Sequence, residues 1–306
     1  MKAIICKKYG PPEVLEMGEV PKPIPKDSEI VVKIVATTVN SADVRVRALR
    51  VEGFMKIVMR LVLGISKPRK PILGTVFAGI VESVGNKVTH FKIGDRVFGA
   101  TGFKFGTYAE YIAVDEKSAV VMMPHNASFD EAAAIVFGGQ TAVYFLEKAG
   151  ISKRAGLKIL IVGGTGAVGS AAIQIAKYHG AEIITVCSSD GLPLARTLGT
   201  THTILYDKED FTKQTNTFDI IFDAVGKNSK KKCAHLLHDN GVYVTVEGFD
   251  VASDSKEQLE QLRRLYEDGT YQAVIDRTFT MNEVVEAHRY VDTGRKKGNV
   301  VLQISK

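Results

Sequence analysis

The segment Lys158-Ile159-Leu160-Ile161-Val162-Gly163-Gly164-Thr165-Gly166-Ala167-Val168-Gly169 constrains this chain more than any other. An aliphatic, β-branched run drops into glycines spaced G-x-G-x-x-G at Gly164, Gly166 and Gly169, and the small and aliphatic residues Ala171 to Ala176 follow at a spacing that suits a buried helix. In a strand–turn–helix the first glycine permits the tight turn, the second lets backbone approach a pyrophosphate, and the third lets the helix pack closely on the sheet. The helix N-terminus, with Ala167, Val168 and Gly169 in its first turn, then offers unpaired N–H groups and a positive dipole end to phosphates. The ligand this segment implies is a dinucleotide.

Context on both sides supports the fingerprint. A second strand, Ala181 to Val186, arrives one helix length later and closes a βαβ unit. A helix over Leu192–Leu198 leads to the apolar Thr203-Ile204-Leu205, and the runs Asp219 to Asp223 and Val242 to Val246 come after it. Apolar runs alternating with helical segments describe a doubly wound parallel sheet, hence an α/β chain.

Composition bounds the rest. A length of 306 residues accommodates two domains, and the 45% hydrophobic and 24% charged fractions are those of an ordinary soluble protein. Cys6, Cys187 and Cys233 stand far apart and form no C-x-x-C pair, which favours a reducing compartment over a disulfide framework or a structural zinc. Met1 leads straight into a strand-like Ala3-Ile4-Ile5-Cys6, so a signal peptide is not expected, and no apolar run reaches the length of a membrane span. The expected location is cytoplasmic. The net charge of +6 is concentrated at Arg45, Arg47, Arg50, Lys56, Arg60, Lys67, Arg69 and Lys70, with smaller clusters at Lys230–Lys232 and Arg295–Lys297. Aromatics are not interleaved with these, so a solvated basic face that steers an anionic cofactor is expected, with no specific nucleic-acid partner.

Pattern divides the chain into three parts. Residues 1–125 carry short alternating strands punctuated by Gly and Pro, the signature of a small β-barrel-like domain. Residues 126–271 form the nucleotide domain, whose last helix is expected to be capped by Asp254, with Glu257 three residues on, to turn Leu259, Leu262 and Leu265 inward and to stop at Gly269. Residues 272–306 read as a return to the first domain.

Several further motifs recur in one order: Tyr9-Gly10-Pro11-Pro12-Glu13-Val14-Leu15, Thr38-Val39-Asn40-Ser41-Ala42-Asp43, Phe77-Ala78-Gly79-Ile80-Val81-Glu82-Ser83-Val84-Gly85, Gly94-Asp95-Arg96-Val97-Phe98-Gly99, Ala109-Glu110-Tyr111, Gly139-Gln140-Thr141-Ala142, Ile275-Asp276-Arg277 and Glu286-Ala287-His288-Arg289-Tyr290. With these, nearly the whole chain resembles the medium-chain dehydrogenase/reductase superfamily, in its zinc-free quinone-oxidoreductase branch. The resemblance implies a GroES-like catalytic domain with a Rossmann domain inserted before its C-terminal strands, and a site in the cleft between them.

Zinc members of that superfamily carry G-H-E-x-x-G, whose His is a ligand; here the place reads Gly74-Thr75-Val76-Phe77-Ala78-Gly79. A catalytic zinc needs three protein ligands around an open position. Cys6 and the scattered His90, His125 and His202 do not supply them at a recognisable spacing, so no metal is expected. Hydride delivery to an already electrophilic quinone or enone, a hydrophobic small molecule, asks less of the protein than alcohol oxidation without a Lewis acid. Counting from Gly169, the position where an NAD enzyme places a ribose-binding carboxylate falls at Cys187, followed by Ser188 and Ser189, which favours NADPH, with NADH as the alternative because Asp190 lies close by. Cys187 itself reads equally as a buried small hydrophobe. Tyr206 matches a family residue near the adenosine phosphate. The resemblance places Asn40 near nicotinamide and substrate, Asp43 beside it either as a substrate contact or as a helix cap, and Thr141 against the nicotinamide. Val225 and Gly248 lie just past strand ends, where ligands bind in open α/β sheets.

The chain departs from the family pattern at Val76, where relatives often have Asp, and at Glu247, which replaces a usual glycine beside the cofactor. It also passes through Phe249-Asp250-Val251-Ala252 almost at once into a helix, where relatives have a further helix and strand that often build a dimer; a homodimer is thus left open. These departures keep two functions in view, a reductase and a cofactor-binding sensor or structural protein without turnover. The segment Phe54 to Gly64 holds eight large apolar residues, with Lys56 and Arg60 one turn apart. It reads as an amphipathic helix on the barrel core or as a cap over the substrate.

Overall fold

The computed structural model describes residues 1–50, 59–248 and 250–305. They form two compact units, one of Met1–Phe137, Asp254–Glu267 and Ile275–Lys306, the other of Gly138–Ser253 and Asp268–Val274.

The first unit is built on β3 (Glu29–Val39), eleven residues whose apolar alternation turns Ile30, Val32 and Ile34 into the core. β3 lies in a seven-stranded sheet with β4 (Val76–Val84), β5 (Arg96–Ala100), β6 (Tyr111–Asp115), β7 (Val120–Met122), β13 (Ile275–Thr280) and β14 (Asn299–Gln303). The path runs β13-β14-β3-β4-β5-β7, with β6 pairing β3, and all pairs are antiparallel except β13 with β14. Two register shifts bend β3 against β4, and Gly79 sits where a Cβ would fall 2.2 Å from the Lys33 carbonyl, so only glycine allows that approach. A separate hairpin of β1 (Lys2–Cys6) and β2 (Leu15–Glu19) adds Ile4, Cys6 and Leu15 to the core. Helix α1 (Ser41–Ala48) follows β3 directly.

The second unit holds a parallel five-stranded sheet in the order β10-β9-β8-β11-β12: β8 (Lys158–Val162), β9 (Glu182–Cys187), β10 (His202–Leu205), β11 (Phe218–Asp223) and β12 (Leu237–Thr245). Ile159, Leu160 and Ile161 are fully buried, as a central parallel strand covered on both faces requires; each contributes about 1.5–3 kcal/mol by leaving water. Helix α2 (Phe129–Lys148) precedes β8, α3 (Ala167–Tyr178) follows the glycine loop, and α4 (Leu192–Leu198) joins β9 to β10. This is the expected α/β architecture of a GroES-like N-terminal domain and a Rossmann-type parallel sheet.

Some local expectations are corrected. Helix α5 (Lys256–Glu267) does bury Leu259, Leu262 and Leu265, but its cap is Ser255, whose hydroxyl accepts from the Gln258 amide at 3.3 Å. Asp254 is instead exposed, its Oδ2 lying 2.4 Å from where a Cβ at Gly102 would fall, and partial desolvation raises its carboxyl. Strand β12 ends at Thr245, one residue before the expected Val246. Of the segment Phe54 to Gly64, Phe54, Met55, Lys56, Ile57 and Val58 lie outside the described residues. The remainder is helical over 59–63, with Met59 against the core, Leu63 buried, and Leu61 and Val62 exposed. No helix among the described residues is long and apolar enough to cross a membrane.

Candidate functional site

In the second unit the chain leaves β8 through Gly163, whose φ of +81° makes the tight turn. That task falls one residue before Gly164, to which the spacing assigns it. Gly164 is needed for a different reason: a Cβ there would lie 1.8 Å from the Thr185 hydroxyl on β9. A Cβ at Gly169 would fall 2.1 Å from the Gly163 carbonyl, so α3 packs on the loop as the third glycine predicts. Gly166 is the opposite case. Its φ of −78° suits any residue, and a Cβ would meet only the Gly163 carbonyl at 3.6 Å. Space is therefore left open over the N-terminus of α3, where Gly166 is the N-cap without a side-chain cap and the first-turn amides of Ala167, Val168 and Gly169 have no intrahelical acceptor. An open, positively polarised, glycine-walled cradle fits a pyrophosphate.

The neighbouring positions converge on that cradle. Gly138 lies on α2 where a Cβ would be 2.3 Å from the Ala167 carbonyl, and Thr141, half-buried one turn later, shares that helix face. At the end of β9, Cys187 is buried and its thiol is raised by burial, so it behaves as a small hydrophobe. Ser188 and Ser189 begin a short turn whose Gly191 rests on Thr165 of the glycine loop. The Ser189 amide donates to the Asp207 carboxylate at 3.0 Å, and Asp207 titrates below its usual range because it is hydrogen-bonded to Ser189. Tyr206 is 62% exposed beside it, its amide held by the Cys187 carbonyl at 3.0 Å. Asp207 is a residue that spacing did not single out: an acid two positions past β10 becomes a neighbour of Ser189 only when β9 and β10 pair.

On the other side of β8, buried Asp223 ends β11 and organises the next loop. One carboxylate oxygen accepts from the amides of Val225 (3.1 Å) and Gly226 (3.0 Å), and the other accepts from Asn228 (2.8 Å) and the Tyr243 hydroxyl (3.4 Å). The loop is thereby held so that Val225 covers Gly163, where a Cβ would fall 2.2 Å from the valine Cγ2. Glu247 lies over Gly226, and Gly248 turns with φ +109° into a segment tied to α2, where Asp250 accepts from Tyr144 at 2.7 Å and pairs with Lys148. Among the described residues no strand follows β12 in this sheet, so β12 is its edge.

In the first unit, Asn40 caps α1. Its Oδ1 accepts from the amides of Ala42 (2.9 Å) and Asp43 (3.1 Å), and its Nδ2 donates to the Thr75 hydroxyl at 2.8 Å. Asp43 returns the bond by accepting from the Asn40 amide at 3.0 Å, completing a capping box. Burial pushes the Asp43 carboxyl up to about 7, against the pull of the Asn40 amide and the Tyr108 hydroxyl. Behind it lies a polar chain that sequence reading missed. Arg47, expected on a solvated basic face, is fully buried: it donates to the Gly10 carbonyl (3.1 Å) and Asp292 (2.6 Å) and meets His288 Nδ1 at 3.3 Å. Since guanidinium only donates, Nδ1 accepts, and Nε2–H faces the Tyr108 hydroxyl at 3.2 Å. Burial and Arg47 together push His288 down to about 3, so it is neutral. The reason Arg47 could not be read as buried is that its partners lie some 240 residues away in sequence.

His90, His125 and His202 are exposed, and no group of three or more His, Cys, Asp or Glu that could hold a metal occurs among the described residues.

Comparison with known proteins agrees with this architecture. Residues 26–125 match the family model described as alcohol dehydrogenase GroES-like domain, and residues 198–302 match the model described as zinc-binding dehydrogenase. The chain is 36% identical to a 2-methylene-furan-3-one reductase of Solanum lycopersicum, over 99% of this chain and 79% of that protein. It is 31% identical, over the same shares, to a chloroplastic NADPH-dependent alkenal/one oxidoreductase of Arabidopsis thaliana. Among solved structures, the quinone oxidoreductase of Coxiella burnetii superposes with a TM-score of 0.89 at 28% identity, covering 100% of this chain and 99% of that one. The chain therefore belongs to the medium-chain dehydrogenase/reductase superfamily, among the NAD(P)H oxidoreductases related to quinone and alkenal/one reductases.

Proposed function

We propose that this protein is a zinc-independent, NADPH-dependent reductase that transfers hydride to quinones or α,β-unsaturated carbonyl compounds. The observation that carries the reading is the cradle at Gly166, open above the N-terminus of α3 while Gly163, Gly164 and Gly169 of the same loop are closed by packing. Ala167, Val168 and Gly169 would hold the pyrophosphate through their amides. Ser188 and Ser189 would donate to the 2′-phosphate beside Tyr206, and Asp207, whose charge opposes a phosphate there, limits the preference over NADH. Thr141 and Val225 would bracket the nicotinamide, with Asp223 fixing the loop that carries Val225. When bound, the reduced nicotinamide supplies the hydride. In the first unit, Asn40 is rigidly oriented by its cap bonds and Thr75 and would have one side-chain N–H left to donate.

Zinc independence is supported by the donor chemistry, since Thr75 stands at the ligand position and its hydroxyl is already engaged by Asn40. An enolate or hydroquinone anion formed by hydride transfer takes its proton from water, so no dedicated acid is required. The substrate class is supported by the names of the relatives, a 2-methylene-furan-3-one reductase, an alkenal/one oxidoreductase and a quinone oxidoreductase. The test is oxidation of NADPH by a panel of quinones and enones. Tight cofactor binding without turnover on any of them would instead assign a sensor or structural role, the reading that Val76 and Glu247 keep open.

A further inference from the structure

We infer that Glu247, an exposed residue, sets the hydride-donating strength of the bound cofactor by placing a carboxylate at the nicotinamide end of the site. This rests on the cofactor reading above and concerns a residue that the reading does not use. The chain leaves β8 for β9 and β10 on one side and returns to β11 and β12 on the other, so the strand order reverses between β8 and β11. A dinucleotide bound at such a point lays its adenosine ribose at the end of β9 and its other nucleoside over the ends of β11 and β12.

Glu247 stands two residues past β12, its amide held by the Thr245 hydroxyl at 3.2 Å. A Cβ at Gly226 would lie 2.9 Å from the Glu247 Cβ and 3.0 Å from its Oε2. Gly226 is pinned in turn by Asp223, and its neighbour Val225 covers Gly163 of the glycine loop. One unbroken line of contacts, Gly163 to Val225 to Gly226 to Glu247, thus joins the carboxylate to the cradle.

The charge has a direct consequence. Reduced nicotinamide is neutral and oxidised nicotinamide is a cation, so a nearby carboxylate stabilises only the oxidised form. For two charges about 8 Å apart in an effective dielectric of about 20–40, the oxidised form would gain on the order of five- to thirty-fold in affinity over the reduced form. For this two-electron couple each tenfold is about 30 mV. The reduced cofactor on this protein becomes the stronger hydride donor, which suits acceptors whose reduction is weakly favoured, such as enones with electron-rich β-carbons.

The experiment measures dissociation constants for NADPH and NADP⁺ separately, by fluorescence and calorimetric titration, on the parent chain, Glu247→Gln and Glu247→Gly, with melting curves to confirm folding. Glu247→Gln keeps the shape and removes the charge. It should weaken NADP⁺ by five- to thirty-fold while NADPH changes less than about two-fold, and Glu247→Gly should shift the ratio of the two constants in the same direction. An unchanged ratio in Glu247→Gln, or equal shifts for both forms in both variants, would make Glu247 a space-filling residue and overturn the inference while leaving the cofactor reading intact. Failure of the parent chain to bind either form would overturn both.

Discussion

Replacing Gly166 with valine separates the fold of the glycine loop from its use. The backbone at Gly166 is extended, with φ −78° and ψ 176°, and the first atom a side chain would meet is 3.6 Å away. Valine therefore enters without strain. It loses the mild preference for glycine at an N-cap, worth at most about 1 kcal/mol, and recovers about 0.4–1 kcal/mol by restricting the unfolded chain. Stability should stay within about 1 kcal/mol of the parent, a shift of only a few degrees in Tm for units of this size. The side chain would nevertheless fill the space above the amides of Ala167, Val168 and Gly169. Losing one or two charge-assisted hydrogen bonds at about 1.5–3 kcal/mol each should weaken NADPH by ten-fold to well over a thousand-fold. Gly169→Ala is the control, since its Cβ would sit 2.1 Å from backbone that cannot move independently; it should lower Tm markedly in the absence of any cofactor. Cofactor titration and melting curves on both variants decide the matter. Unchanged NADPH affinity in a folded Gly166→Val protein would refute the placement of the pyrophosphate.

Three further outcomes are expected. Asp207→Asn removes the carboxylate on the Ser189 amide and should raise the NADPH-to-NADH ratio of kcat/KM by about three- to ten-fold; an unchanged ratio would remove Asp207 from the cofactor site. Asp43 is raised from 3.8 to about 7, so between those values the folded chain keeps a proton that the unfolded chain has released, and stability falls as pH rises through that window. Asp43→Asn cannot titrate, so its Tm deficit against the parent should narrow from pH 4 to pH 7.5 by up to the equivalent of about 4 kcal/mol; a widening gap would show that the carboxyl is not buried as neutral acid. Purified protein should contain no stoichiometric zinc and keep its activity in chelator, and about one zinc per chain with loss on chelation would refute zinc independence.

The polar chain from Asp43 to Asp292 also bears on how substitutions should be read. Arg47 and Asp292 form an ion pair with the guanidinium wholly buried. Removing Asp292 should cost about 3–5 kcal/mol, because the buried guanidinium is left without its counterpart, whereas Asp292 without Arg47 still pairs with Arg50 at 3.2 Å. A loss of activity in such a variant would therefore report lost folding before it reported chemistry, and Asn40, the residue after β3 and hydrogen-bonded to Asp43, would move with it.

Local pattern and tertiary contact determined different things about this protein. The sequence alone determined the parallel sheet and the place of the glycine-rich turn before α3, because a buried strand must be apolar throughout and a glycine-rich turn before a helix has a short-range signature; β8, α3, α4 and the inward leucines of α5 were all legible that way. It also determined the lack of a recognisable zinc-ligand pattern, since ligand spacing is written in residue types such as Thr75. The tertiary structure decided the roles that depend on partners distant in sequence. It moved the tight turn from Gly164 to Gly163, because φ is set by how β8 meets Thr185 and Val225, and it moved the cap of α5 from Asp254 to Ser255. It buried Arg47 against His288 and Asp292 and set Asp207 on Ser189. It also made Asp223 the anchor of the loop that joins Gly163 to Glu247. A charged residue carries no local mark of being buried, since what makes burial tolerable is a counter-charge that only the folded chain brings within reach.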